Sequence, residues 1–237
     1  MQSYVLRRSV TFIVTIWLAA SLSFFTLLVL PGNPARIMLG TDANPAALAA
    51  LEQELGLDAP PLVRYARWLA DTVTFQFGSS VVYHLPVTQL IGERLQVTLP
   101  LTGLALLLSA AIGVPIGLYA AYRRGSAADA LVTGLAQLGQ AVPSFWLGIF
   151  LIFVFAVRYN WLPAGGFPGW SDAPAALRAL LLPAVALGTA RAAALTRIVR
   201  AAALDVLSRD FIRTARAKGV GEAALVRKHV LRNALVT

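Results

Sequence analysis

Cysteine is absent from this 237-residue chain, which excludes a disulfide framework, thiol chemistry and a cysteine zinc site. Charge is scarce as well: 13% of the residues are Asp, Glu, Lys or Arg, against about 25% in an ordinary soluble domain. Acids are the rarer sign, 11 against 20 basic residues, and lysine occurs only at Lys218 and Lys228. Gly219 and His229 follow those lysines, so there is no Gly-Lys-Ser or Gly-Lys-Thr phosphate loop and no route to ATP through one. HExxH and GxSxG are missing too. The histidines, His84 and His229, stand in separate polar segments and suggest no metal pair. The +9 net charge would suit a nucleic acid. Its arginines, however, flank apolar spans and form no stripe with aromatics, so no nucleic-acid partner is expected.

What the chain has is apolar length, with 58% hydrophobic residues. A bilayer core about 30 Å thick takes roughly 20 helical residues. Four stretches reach that length: Ser9–Leu30, about Leu99–Tyr122, about Leu131–Val157 and about Ala179–Val199. Backbone in lipid must satisfy its own hydrogen bonds, so each is expected to be a helix. The expectation is an all-α polytopic membrane protein whose first span is uncleaved, its apolar run being longer than that of a signal peptide.

Orientation follows the basic residues. Arg7 and Arg8 precede the first span, Arg123 and Arg124 follow the second, and Arg197 and Arg200 follow the fourth. From Arg197 onward there are nine Lys or Arg against three acids, whereas residues 31–95 hold four arginines against six acids. The N-terminus is therefore expected in the cytoplasm and residues 31–95 outside, with a boundary between 1–94 and 95–237. In the outside segment Asn44-Pro45 predicts a helix start and Gly56 a stop. After Pro60-Pro61, Leu62, Tyr65, Trp68 and Leu69 are expected to share one face, with the aromatics suited to a membrane interface.

Two patterns lie inside the spans. Ser109, Gly113, Gly117 and Ala121 recur every four residues and predict close helix approach, with Pro115 expected to kink the helix. Thr133, Gln137, Gln140 and Ser144 are spaced to place four hydrogen-bonding groups on one face, next to Pro143. Such groups at membrane depth face a bundle interior or a wet cavity. They are pathway-lining candidates, with plain interhelical bonding as the alternative. Arg191 is close enough to the span's end to snorkel to the surface.

Beyond the fourth span, Leu207, Phe211 and Ala215 predict an apolar stripe from Leu204 onward, and Arg209, Arg213 and Arg216 a basic one. That amphipathic helix should stop at Lys218-Gly219, with a second helix over about Glu222–Leu235. By composition it could lie on lipid or present itself to a soluble partner.

The segment "FIRTARAKGVGEAALVRKHVLRNAL" resembles the cytoplasmic coupling loop of ABC importer permeases, in its dipeptide, oligopeptide and nickel form. "LPGNPARIMLG", "LEQELGLDAPPLVRYARWL", "ERLQVTLPLT", "GQAVPSFWLGI" and "WLPAGGF" resemble the same subfamily in order, over essentially the whole chain. With Gly219 aligned, the family's Glu-Ala-Ala triplet falls on Arg213, Thr214 and Ala215, and only the last matches. "FQFG" stands where the subfamily often has "GDLG".

The resemblance implies a type I importer transmembrane domain with four of six spans in this sequence and two more expected. It implies a coupling loop at about 201–237 in which Phe211, Arg213, Thr214, Ala215, Arg216, Ala217, Lys218 and Gly219 meet an ATPase. Its implied partners are a paralogous second permease, two cytoplasmic ATPase subunits or domains carrying ATP and magnesium, an external solute-binding protein, and the bilayer of a bacterial inner membrane. The chain itself is expected to be no enzyme and to bind no cofactor. A stand-alone secondary transporter or channel would need a charged relay or pore ring, and none is apparent in the sequence. A scaffold that recruits a soluble protein would not need the polar stripe.

Overall fold

Apart from an isolated bridge between Ser79 and Pro86, the described residues form helices, turns and irregular segments. This computed structural model describes residues 2–29, 32–40, 44–80, 82–226 and 230–231. The chain divides into two compact units, Met1–Arg94 and Leu95–Thr237.

In the first unit α1 (Gln2–Val29) turns its apolar side chains outward on nearly every face, as a helix in lipid does. Its Thr11, Thr15, Ser21, Ser23 and Thr26 hydroxyls each donate to the carbonyl four residues back, so none carries an unmet donor into hydrocarbon. Asn33 and Asn44 cap α2 (Pro34–Leu39) and α3 (Pro45–Glu54), each ahead of a proline at the first helical position. The Asn33 amide also donates to Glu52 and ties the two helices together. The predicted stop is present: Gly56 takes the left-handed φ of 63° just after α3.

On α4 (Pro61–Val73), Tyr65 and Trp68 pack against Phe24 and Phe25 with ring centroids 5.2–5.4 Å apart. The Tyr65 and Ser21 hydroxyls are 2.6 Å apart. Leu62 does not join this face; it lies in the first turn, short of the aromatic cluster, and is exposed.

α5 (Val87–Tyr122) starts in the first unit, and within the second its later part and α8 (Ala173–Leu207) approach at backbone distance. A Cβ added at Gly117 would lie 2.6 Å from the Thr196 carbonyl oxygen, and one at Gly113 would lie 2.9 Å from that of Ala192. The small-residue face predicted around these glycines is thus the face on α8, with Ser109 and Ala121 also buried. Gly117→Ala should cost about 1–3 kcal/mol through overpacking. Gly103→Ala, where a Cβ meets nothing within 4 Å, should be neutral or slightly stabilising. Thermal unfolding of the two variants in detergent checks this; equal shifts would contradict the packing.

Pro100 leaves the Gln96 carbonyl without its helical donor, and the Trp170 indole N–H fills that place at 3.0 Å.

Two span expectations need correction. The third span is not one helix: α6 (Ala127–Ala141) and the stretch Ser144–Arg158 meet at 91°. The latter comprises α7 (Ser144–Leu151) and a π-helical segment, Ile152–Arg158. Val142 precedes a proline and so avoids helical geometry, and both Val142 and Pro143 are extended. The fourth span does not end at Val199: α8 continues to Leu207, with Arg191, Arg197 and Arg200 inside one 35-residue helix. Among the described residues three helices are thus long and apolar enough to cross a membrane, or up to four spans are present if the bent pair is one.

Candidate functional site

Thr133, Gln137 and Gln140 share a face of α6, and that face borders an open cleft of about 560 Å³. The opposite wall is α8, through Ala194, Arg197, Ile198, Arg200 and Ala201. Ser144 is not part of this lining. The bend at Val142-Pro143 places it at the start of α7, so the predicted four-residue stripe is a three-residue one.

Beside the cleft sits an ion pair that the sequence reading missed. Arg200 donates from Nε to Asp129 Oδ1 at 2.6 Å and from Nη2 to Oδ2 at 2.7 Å. The Gly125 N–H adds a third bond to Oδ2 at 3.0 Å. The Asp129 side chain is 8% exposed and that of Arg200 26%. Planar guanidinium and carboxylate groups paired in this two-pronged way make a strong and directional contact. It fastens the first turn of α6 to α8.

A signal for it was present. Ser126-Ala-Ala-Asp129 has the spacing of a capping box. Ser126 indeed caps α6 by accepting from the Asp129 N–H. Asp129 stands two residues ahead of the third apolar run, outside the stretch expected to span. With Arg200 neutralised by Asp129, Arg197 is the cleft's remaining charge. Among the described residues no carboxylate lies within ion-pair distance of it.

The predicted coupling segment differs from expectation in three ways. It is not continuous from Leu204, because the chain breaks after α8 and restarts as α9 (Asp210–Ala217). The Ser208 hydroxyl donates to the Asp205 carbonyl, a local bond that competes with helix continuation, and Arg209 is extended. Second, Phe211 is 45% exposed and is not the buried anchor of α9. Ile212, fully buried, does so with Ala121 at the end of α5 and Ala203 and Val206 of α8, while Leu207 and Ala215 pack around this core. Of the expected apolar stripe Leu207 and Ala215 face this core, and Ile212 stands where Phe211 was expected.

Third, the basic stripe is largely answered from within. Arg209 pairs with Asp205 at 2.7 Å, Arg213 with Asp210 at 3.5 Å and Arg216 with Glu222 at 2.8 Å. The Glu222 hydrogen bond raises the Arg216 pKa above its ordinary value. These exposed pairs add little stability.

Thr214, Arg216, Ala217, Lys218 and Gly219 are exposed beside Phe211 and Arg213, and Ala215 is half-buried. Gly219 has the left-handed φ of 75°. Its N–H reaches the Arg216 carbonyl at 2.9 Å and that of Val220 the Ala215 carbonyl at 3.2 Å, a complete Schellman turn. Of the predicted second helix, α10 (Glu222–Leu225) is described, and Leu225 and Val230 join the Ile212 core. Residues 227–229, with His229, and 232–237 lie outside the described residues.

Comparison with known proteins agrees with this architecture. Residues 113–237 match the model of binding-protein-dependent transport system inner membrane components, and residues 1–102 match that of the N-terminal part of such components. A Brucella abortus protein named as a peptide transport system permease is 40% identical, over 100% of this chain and 76% of its own length. The glutathione transport system permease of Salmonella paratyphi A is 39% identical over 100% of this chain and 75% of its own. A Sinorhizobium fredii protein named as a peptide ABC transporter permease is 37% identical over 98% and 74%. With matches of this extent running through both units, the chain belongs to the binding-protein-dependent inner membrane components, as a permease subunit of the peptide-type ABC importers.

Proposed function

We propose that this permease forms part of the wall of a pathway for peptides or a related small solute, in a bacterial inner membrane. A paralogous permease completes the pathway, and an external solute-binding protein delivers the solute. Two cytoplasmic ATPase subunits or domains supply ATP and magnesium chemistry. The exposed face of α9 and the Gly219 turn dock on one ATPase, and Thr133, Gln137 and Gln140 line the inner pathway. The observation that carries this reading is the placement of Ile212. A short helix exposes Phe211, Arg213 and Lys218, while its one fully buried side chain is packed on the ends of α5 and α8. A push on the exposed face is thereby passed to two spans through close-packed groups. The substrate class is supported by the peptide and glutathione systems named among the relatives.

In this reading the N-terminus and α9 are cytoplasmic and residues 31–95 face outside. Ala47 and Ala127 are exposed, and Ala127 avoids disturbing the Ser126 cap. Single cysteines at the two positions should react differently with an impermeant thiol reagent applied to whole cells, with labelling at 47 and not at 127. The reverse pattern would overturn the orientation. The assembly itself is tested by purification from the native membrane: the ATPase and second permease should travel with the chain. An Ile212→Ala variant should lose the ATPase more readily.

A further inference from the structure

We propose that Arg197 is a specificity-determining residue for a free carboxylate on the transported solute. The inference rests on the pathway reading above and names the substrate class of that cleft. Arg197 and Arg200 are three residues apart on α8 and so lie on one face of the helix. Both line the same cleft. Arg200 already holds a carboxylate, that of Asp129, through two parallel bonds of 2.6 and 2.7 Å. One turn back, Arg197 carries the same planar fork with no carboxylate of the described residues in range. Across the cleft, Gln137 and Gln140 bring two amide N–H₂ groups able to donate, while the Thr133 hydroxyl is bonded to Asp129.

The lining contains no acidic residue, since Asp129 is turned to Arg200 and lies outside it. A cationic solute would therefore meet an unanswered positive charge there, and a solute with one carboxylate meets a matching one. Arginine suits this task because its fork is preorganised for a planar carboxylate. The cleft, about 560 Å³ and open, accommodates a group of that size with part of its parent molecule.

The test uses the complete importer, with both permeases, ATPases and binding protein, in lipid vesicles. Trialanine and its C-terminal amide are supplied at binding-protein concentrations that saturate each, so capture outside does not set the rate. Wild type should import the acid faster. Arg197→Gln should lower acid uptake about tenfold, the loss of one charge-assisted contact, and bring the acid-to-amide ratio close to one. Arg197→Lys, which keeps the charge without the fork, should retain part of the preference. The proposal is overturned if acid and amide fall together in both variants, or if acid uptake is unchanged in an inserted Arg197→Gln protein. It is also overturned if uptake follows the anionic lipid content of the vesicles and the peptide ratio does not move, since Arg197 would then serve a lipid phosphate. Absence of ATP-dependent uptake in wild type counts against the importer reading itself and is seen before any variant is compared.

Discussion

Ile212→Ala is expected to separate ATP hydrolysis from uptake while leaving the chain inserted. The side chain is fully buried in a small core with Ala121, Ala203, Val206, Leu225 and Val230. Truncating an isoleucine in such a place costs about 2–5 kcal/mol, because the cavity adds to the lost burial. The cost falls on a helix of eight residues, too short to persist without its tertiary contact. The spans lie outside the affected core except at their ends, so membrane insertion should be kept. Expected in vesicles are hydrolysis that no longer rises with solute-loaded binding protein and uptake reduced by an order of magnitude or more. Phe211→Ala should act differently, by weakening ATPase capture at a position that is 45% exposed. If Ile212→Ala keeps full coupling, α9 is held by something other than this core.

The second large effect is expected at the clasp between α6 and α8. Asp129→Ala leaves the Arg200 guanidinium, 26% exposed, without its carboxylate. Removing one partner of a buried pair costs about 3 kcal/mol, with less expected here because Arg200 retains some solvent. Arg200→Ala strands the more buried partner, Asp129, leaving its carboxylate the Gly125 N–H and the Thr133 hydroxyl. It should be at least as damaging. The double variant, with neither charge left alone, should recover much of the loss, and the difference across the four proteins is the coupling energy of the pair. Thermal unfolding in detergent supplies the four values. Additive losses would mean that the two groups do not depend on one another.

Much of this architecture was legible from composition and spacing, because lipid leaves the backbone few choices. Apolar runs of sufficient length had to be helices, and the four-residue recurrence of Ser109, Gly113, Gly117 and Ala121 had to be a contact face. The Asn44-Pro45 start, the Gly56 stop and the Gly219 turn follow from residues with restricted or unusual backbone freedom. Two of the misses share a cause: they depend on where a helix ends. Proline at 143 was seen, but whether it kinks or breaks the helix depends on Val142 also leaving helical geometry. That choice removed Ser144 from the polar stripe. The break at Ser208 shifted the phase of α9 and exchanged Phe211 for Ile212 on the inward face. The Asp129–Arg200 pair joins residues 71 positions apart, and a capping-box spacing could mark Asp129 but not its partner.

Solute movement through this permease is expected to be driven by ATP hydrolysed on a partner that docks at α9. The most direct measurement is uptake and ATP hydrolysis in the same vesicles, containing the complete importer, with and without solute-loaded binding protein. Hydrolysis should rise several-fold with loaded binding protein, and uptake should stop without internal ATP. Gly219→Val, which must place a side chain in left-handed backbone at a cost of about 1–2 kcal/mol, should lower the solute imported per ATP consumed. Uptake that continues without ATP and follows an imposed ion gradient would contradict this coupling to ATP.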